Sequence, residues 1–353
     1  MTNSISTHIP PPHHSIAPTP PILPVRVNPL LIHPDERRQS LNAGWTFRLD
    51  PKDLGLDQIW YQDHKVGWDP IEVPGSWQGQ GFGSDTDDEV WDFKLRGRIF
   101  KATYAGTGWY RKTFTVPGHE KASRLWLRFG GVHPSAEVWL NDQFLGRNGL
   151  PFVPFGFEIT NPVRRGEPNH LAVRVHEANR EYGFAYSWQG NWSGLYRGVE
   201  LVTTGAQCLN QIWFHPDADR GVIGVNAQID GIATKSPLAL EIRVRQAGQS
   251  EICAQINHRV TGPTMHFDLP FPAPQRWSPD APNLYEVDIR LLADGQPLDA
   301  QTERIGFVKL STHGQAFLIN DKPYYMRGTG DFLSCPETGC PDTNRDRWRR
   351  KLQ

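Results

Sequence analysis

Apolar and polar residues alternate in short runs along most of this chain. Leu125, Leu127 and Phe129 alternate with Trp126 and Arg128, and Gly130-Gly131 ends the run. A period of two places the apolar set on one face of a strand. Leu171, Val173 and Val175 repeat the pattern. Between them, Ala136-Glu137-Val138-Trp139-Leu140, then Asn141-Asp142-Gln143, then Phe144-Leu145-Gly146 reads as a hairpin. Asn and Asp tolerate the left-handed backbone that a tight turn needs. Short strands at about 8–12-residue spacing, from residue 37 to about residue 204, predict a β-sandwich or jelly roll.

The same period continues beyond that module. Ile223, Val225, Ala227 and Ile229 alternate, as do Leu240, Ile242 and Val244 with Glu241, Arg243 and Arg245 opposite. Tyr285, Val287, Ile289 and Leu291 alternate with Glu286, Asp288 and Arg290. Residues 205–309 have the size of an immunoglobulin-like sandwich, about 100 residues. The Cys…Trp…Cys spacing of antibody domains is missing. Cys208 and Cys253 are expected as buried free thiols.

Residues 310–353 change character. Phe317-Leu318-Ile319, Asn320-Asp321 and Lys322-Pro323 predict a hairpin, and Tyr324 to Gly328 predicts a strand. Thr343-Asn344-Arg345-Asp346 fits a capping box that opens a helix. Trp348 and Leu352 then share one face of it. The basic residues from Arg345 to Lys351 are expected to form a solvated helix face.

Composition narrows the function. The chain has 353 residues, Lys+Arg 37, Asp+Glu 38 and a net charge of −1. No global field draws it to nucleic acid or an anionic membrane. Gly 33 and Pro 30 leave little room for long helices. No apolar run reaches the roughly 18 residues of a membrane span. Residues 1–36 lack the basic start and apolar core of a secretory signal and read as a disordered Pro-rich leader. His13 and His14 are expected in that solvated tail, not in a metal site. Four Cys make no disulfide framework, which gives a cytoplasmic expectation. Asn191-Trp192-Ser193 fits the glycosylation pattern only if the protein is secreted. Cys335 and Cys340 give two metal ligands at most, and a plain loop is expected there.

An ordered set of motifs resembles glycoside hydrolase family 2, the β-galactosidases, β-glucuronidases and β-mannosidases. It begins with Leu41-Asn42-Ala43-Gly44-Trp45-Thr46-Phe47, Val73-Pro74-Gly75-Ser76-Trp77 and Gly108-Trp109-Tyr110-Arg111-Lys112. It continues through Leu127 to Gly146, then Ser193-Gly194-Leu195-Tyr196-Arg197-Gly198-Val199. It closes with Trp277-Ser278-Pro279, Pro282-Asn283-Leu284-Tyr285 and Gly306-Phe307 before Phe317 to Gly328. The resemblance covers about Gln39 to Gln353.

It implies a mainly β chain: a jelly-roll sugar-binding sandwich (37–204), an immunoglobulin-like sandwich (205–309) and the first strand and helix of an incomplete (β/α)8 barrel (310–353). In that family the barrel hydrolyses β-glycosides with retention, through two glutamates. Retention needs carboxyls about 5–5.5 Å apart. A barrel needs roughly 250 residues, so no catalytic residue is assigned in this chain. No cofactor is implied. Family members are often oligomers, which leaves a homo-oligomer open. The galactosidase pattern Arg-Gly-x-Asn-x-His is replaced by Arg327-Gly328-Thr329-Gly330-Asp331-Phe332, which puts galactose specificity in doubt.

Sugar recognition needs flat rings for C–H faces and amides or carboxylates for hydroxyls. Trp188, Gln189, Asn191 and Trp192 supply both within five residues. Asp331, after the expected barrel strand, is the fifth substrate-binding candidate. The competing role for Trp188 and Trp192 is to seal the domain edge. Asp87, Asp88, Glu89 and Asp92, with Trp91, read as a solvated acidic turn. Arg111 and Arg197 read as structural partners of the sheet.

Three functions stay open: the non-catalytic N-terminal portion of a β-glycoside hydrolase, a stand-alone carbohydrate-binding sandwich protein, and a pure scaffold.

Overall fold

The structure, a computed structural model, describes residues 25–26, 37–62, 67–83, 102, 104–117, 124–176, 192–231, 237–328 and 338–353. It is mainly β, with several sheets.

The first set of strands is β1 (Val25–Arg26), β2 (Arg38–Ser40), β3 (Trp45–Asp50), β4 (Asp69–Ile71), β5 (Thr107–Thr115), β6 (Arg124–Phe129), β7 (Ala136–Leu140), β8 (Gln143–Asn148), β9 (Phe155–Glu158), β10 (Pro168–His176) and β11 (Val199–Thr204). They form a five-stranded sheet, β1-β9-β6-β11-β2, and a six-stranded sheet, β4-β3-β5-β10-β7-β8. Leu125, Leu127 and Phe129 from the first meet Phe47, Tyr110, Val138 and Val173 from the second in one core. The one-sided alternation is what makes this possible, since each sheet has one apolar face to bury. Trp45, Trp77 and Trp109 are all buried. Asn141 and Asp142 adopt φ 49° and 71° and close the β7–β8 hairpin as expected. Val25 and Arg26 pair with Gly156 and Phe155, so this part of the expected disordered leader is a strand. The open edge of β9 offers unpaired backbone groups that an extended Pro-flanked segment can satisfy. His13, His14 and the acidic residues from Asp87 to Asp92 lie outside the described residues.

The second set is β12 (Cys208–Asp217), β13 (Val222–Asp230), β14 (Leu238–Gln246), β15 (Ile252–Arg259), β16 (Thr264–Pro270), β17 (Tyr285–Ala293) and β18 (Gln296–Ile305). A three-stranded sheet, β12-β13-β16, faces a four-stranded sheet, β15-β14-β17-β18. Ile223, Val225, Leu240, Ile242, Val287 and Ile289 fill the space between them. Cys208 is buried and Cys253 exposed, both as free thiols, which corrects the expectation of two buried ones. Cys253 lies on β15, an edge strand with a largely solvated face.

Polar residues tie the two sheets of the second sandwich to each other and, through Arg37, to the start of the first. Arg37 Nη1 lies 2.7 Å from Asp299 Oδ1, and Asp299 Oδ2 accepts from the Leu209 amide at 2.8 Å. Gln301 Nε2 donates to the Leu209 carbonyl at 2.9 Å. Asp299, Gln301 and Glu303 alternate along β18 and are all buried. Burial pushes the Asp299 carboxyl up to about 6, against the pull of its amide and Arg37 partners. Glu303 has no such partners, and burial pushes it from 4.5 to about 7. Its Oε2 finds no hydrogen bond among the described residues.

Glu303 therefore gives a pH-dependent expectation. An acid whose pKa rises on folding takes up a proton on folding, so stability falls as pH climbs from about 4.5 to about 7. The penalty is complete above that range. Glu303→Gln should raise stability at pH 8 by about 1–2 kcal/mol, less than the full shift would convert to. It should change little at pH 4.5. Urea midpoints at the two pH values check this; equal effects at both would show that the carboxyl is solvated.

The third region holds β19 (Leu310–His313), β20 (Ala316–Ile319), β21 (Lys322–Tyr324) and α1 (Arg345–Leu352). The hairpin turn falls at Asn320-Asp321, with φ 51° and 64°. The strand expected from Tyr324 to Gly328 does not form: residues 325–328 pair with nothing among the described residues, and Tyr325 is 84% exposed. A barrel strand is held by ladders on both sides, and no described strand flanks this one. The helix opens one residue later than the capping box implies. Asn344, not Thr343, is the cap, and its Oδ1 accepts from the amides of Asp346 and Arg347. No residue of α1 is buried.

Candidate functional site

The segment that carries most of the sugar candidates departs after His176 and returns at Trp192. Trp188, Gln189 and Asn191 lie outside the described residues, as does Asp331. Trp192 is described, and so is the frame at both ends of the segment.

At the departing end, Ser135 Oγ donates to the His176 carbonyl at 2.7 Å, and Thr107 Oγ1 sits 2.6 Å from His176 Nδ1. Thr107 also bonds Asp53, which receives Arg174 at 2.7 Å. Burial alone would push the Asp53 carboxyl up. The Arg174 and Thr107 hydrogen bonds outweigh it and hold Asp53 below its ordinary 3.8. Burial and then the Arg174 charge push the His176 imidazole down.

At the returning end the backbone is locked. His133 and Gly194 exchange amide–carbonyl bonds of 3.0 and 2.9 Å. The Ser193 amide donates to Gln78 Oε1 at 2.9 Å, and Gln78 Nε2 donates to the Tyr104 carbonyl. The Trp77 amide donates to the Ser193 carbonyl. Gly194 sits at φ +140°, and a Cβ there would lie 2.6 Å from the Tyr110 hydroxyl. Only glycine fits that close approach.

Trp192 is enclosed. Its ring stacks on His133 at 4.0 Å and 15°, meets Tyr196 edge-on at 5.3 Å, and has Phe152 at 6.1 Å. Of the two roles weighed for Trp192, its burial matches the edge-sealing one. His133 Nδ1 donates to the Trp192 carbonyl at 2.8 Å. Burial pushes the imidazole down to about 4 against that bond, so His133 is neutral near pH 7. The ring exposed beside this cluster is Phe152, 44% accessible and held at φ 65°, between the exposed Leu150 and Val153. Trp192 Nε1 and Tyr196 OH are buried and find no partner among the described residues. Buried polar atoms are seldom left so.

The C-terminal segment packs on this same region. Ser76 Oγ donates to the Thr338 carbonyl at 2.8 Å, and Cys340 is buried against Trp192 and Tyr196. A Cβ on Gly79 would come within 1.9 Å of that carbonyl oxygen. Asp342 and Thr343 then border an open cavity of about 560 Å³ lined by Arg38, Ser40, Asn42, Arg197 and Glu200. Arg38 and Arg128 neutralise Glu200, at 2.9 and 3.5 Å. Arg197, expected as a structural partner of the sheet, lies over the Tyr196 ring and lines this cavity. Arg111, on β5, reaches off the sheet: its Nη2 donates to the carbonyl of Trp60 in a 3-10 turn and its guanidinium lies over Trp68, just before β4. Among the described residues, no group of three or more His, Cys, Asp or Glu is arranged to hold a metal ion.

Sequence reasoning singled out Trp192 but missed His133, Phe152 and Cys340. His133 and Phe152 flank the predicted hairpin, yet no local spacing reveals a partner some 60 residues away.

Two antiparallel β-sandwiches in series make up most of the described chain, and sequence comparison assigns both to one family. The model of the sugar-binding domain of glycosyl hydrolases family 2 matches residues 38–205. A second model of glycosyl hydrolases family 2 matches residues 209–307. The chain belongs to glycosyl hydrolase family 2. It is 28% identical to a β-galactosidase of Photobacterium profundum, over 88% of this chain and 31% of that protein. It is 24% identical to a β-galactosidase large subunit of Latilactobacillus sakei, over 87% of this chain and 52% of that protein. The chain thus spans about a third of the length of most of the curated β-galactosidases it matches. Among solved structures, a family 2 member from Bacteroides cellulosilyticus superposes with a TM-score of 0.66 at 26% identity, covering 83% of this chain and 39% of that one. A Bacteroides uniformis β-glucuronidase shares the fold, with a TM-score of 0.71 at 21% identity over 89% of this chain and 37% of that one.

Proposed function

We propose that this chain is the non-catalytic, sugar-binding N-terminal portion of a β-glycoside hydrolase. The observation that carries this is the family's sugar-binding model over residues 38–205, in a chain matching about a third of its β-galactosidase relatives. In this reading residues 37–204 are the jelly-roll sugar-binding domain and residues 205–309 the immunoglobulin-like sandwich. Residues 310–353 enter the catalytic barrel, and 1–36 lead into the first domain. Hydrolysis with retention requires two carboxyls about 5–5.5 Å apart, and none is assigned to this chain. Its own contribution is binding. The sugar candidates Trp188, Gln189 and Asn191 fall between His176 and Ser193, both of which are hydrogen-bonded into the first sandwich.

The purified chain should show no turnover of nitrophenyl β-galactoside, β-glucuronide or β-mannoside. It should bind at least one corresponding glycoside weakly and saturably in titration calorimetry. Measurable turnover would overturn the non-catalytic assignment, and absence of saturable binding would overturn the sugar-binding one and leave a scaffold.

One observation favours the stand-alone binding protein instead: Thr338 and Cys340 pack into the first sandwich. Trypsin separates the two readings at Arg345, Arg347 and Arg349. Cleavage there under native conditions supports a barrel entry that needs its own neighbours; resistance supports the self-contained protein.

A further inference from the structure

The outer face of β12–β13–β16 has a chemistry of its own. The period of two that buries Ile212, Val225 and Met265 turns Trp213, Asn226 and His266 outward. Strand register sets them in one row, with Trp213 opposite Asn226 and Asn226 opposite His266. Trp213 is 43% exposed, more than any other tryptophan among the described residues.

A single exposed ring is ordinary, but the row beside it is not loose. Asn226 Nδ2 donates to His215 Nε2 at 3.0 Å, and Asn226 Oδ1 accepts from His266 Nδ1. The two bonds fix the amide and both imidazole tautomers. His215 then keeps an Nδ1–H donor and His266 an Nε2 acceptor. The nearby charges cancel, since Arg220 and Asp268 pair at 2.6 Å. The result is an accessible indole beside a pre-oriented row of polar groups.

That combination selects its ligand class. An anion or a nucleic acid needs unpaired cations, typically a basic stripe. A stable protein partner needs about 800 Å² per side with an apolar centre, and this patch is one ring wide. A pyranose needs what is here: a flat apolar surface for its C–H face and fixed polar groups for its hydroxyl edge. We propose that this face is a second carbohydrate-binding surface, which takes a sugar ring of a neutral glycan chain by stacking on Trp213, with His215, Asn226 and His266 bonding its hydroxyls. It lies on the second sandwich.

The test is calorimetric titration of the full chain with cellohexaose, xylohexaose and β-1,4-galactohexaose. At least one should bind saturably, and Trp213→Ala should weaken it about tenfold or more. His266→Ala should weaken it by a smaller factor and provides a second variant should the first fail to fold. Titration with simple methyl β-glycosides reports the site of the first sandwich and should be the same in Trp213→Ala and the parent chain, so the two sites fail independently. Absence of binding by all three hexasaccharides would overturn the proposal, as would hexasaccharide affinity unchanged in both variants.

Discussion

Trp192→Ala should cost about 3–5 kcal/mol of stability, the range for removing a large buried aromatic. The ring is fully buried, with His133 stacked on one side, Tyr196 edge-on and Cys340 in the same cluster. Collapse cannot refill the gap easily, because the backbone from Trp192 to Gly194 is locked by Gln78, Trp77 and His133. Water that enters the cavity restores the solvation that His133 has lost. Its pKa should therefore rise from about 4 toward its ordinary 6.5. Thermal melting of the first sandwich and an NMR titration of the His133 ring give the two readouts. Trp192→Phe retains a ring against His133 and should lose roughly half as much. A loss below about 1 kcal/mol in Trp192→Ala, with His133 unmoved, would mean the indole is not part of the core. It would return Trp192 to the sugar-contact role expected beside Trp188.

This contrast shows where the sequence was legible. One-sided strands announce themselves, because a period of two is the condition for burying one face of a sheet. Leu125 to Phe129 and Ile223 to Ile229 are strands with the expected faces inward. Tight turns also announce themselves: Asn141-Asp142 and Asn320-Asp321 both sit at positive φ. β18 departs from this rule. Its core-facing positions are Asp299, Gln301 and Glu303, while Leu298 and Ala300 are only half-buried. Periodicity assigns those faces backwards, because the polar set is buried to tie β18 to Leu209 of the facing sheet and, through Asp299, to Arg37 at the start of the first sandwich.

The site was less legible than the fold for a different reason. Its contacts are far apart in sequence. His133 meets Trp192 across 59 positions, and Ser76 meets Thr338 across 262. No local pattern encodes such pairs. The cap of α1 failed on a smaller scale, since Thr343 and Asn344 are both competent caps and only backbone geometry chooses between them.

The polar end of the first sandwich is tested by Arg174→Met. Arg174 is buried and donates to Glu137 at 2.6 Å and to Asp53 at 2.7 and 3.0 Å. Removing a buried partner typically costs about 3–5 kcal/mol, because the charges left behind are uncompensated. Asp53 and Glu137 retain 46% and 29% side-chain exposure and can turn to water, so the expected loss here is about 2–3 kcal/mol. The sign of its pH dependence follows from Asp53. A carboxyl held below its ordinary 3.8 in the folded state stabilises above that pH and loses the effect as pH falls through the folded value. The gap between parent and variant should be full at pH 7 and narrow below about pH 4. A second readout separates this ion pair from packing alone. The Arg174 charge pushes the His176 imidazole down while Asp53, Glu137 and Asp50 push it up. Deleting the cation should therefore raise the His176 pKa, in the direction opposite to what burial favours. A destabilised variant in which His176 titrates as before would show that Arg174 acts by filling space. A raised His176 would show that its charge sets the electrostatics where the 177–191 segment departs.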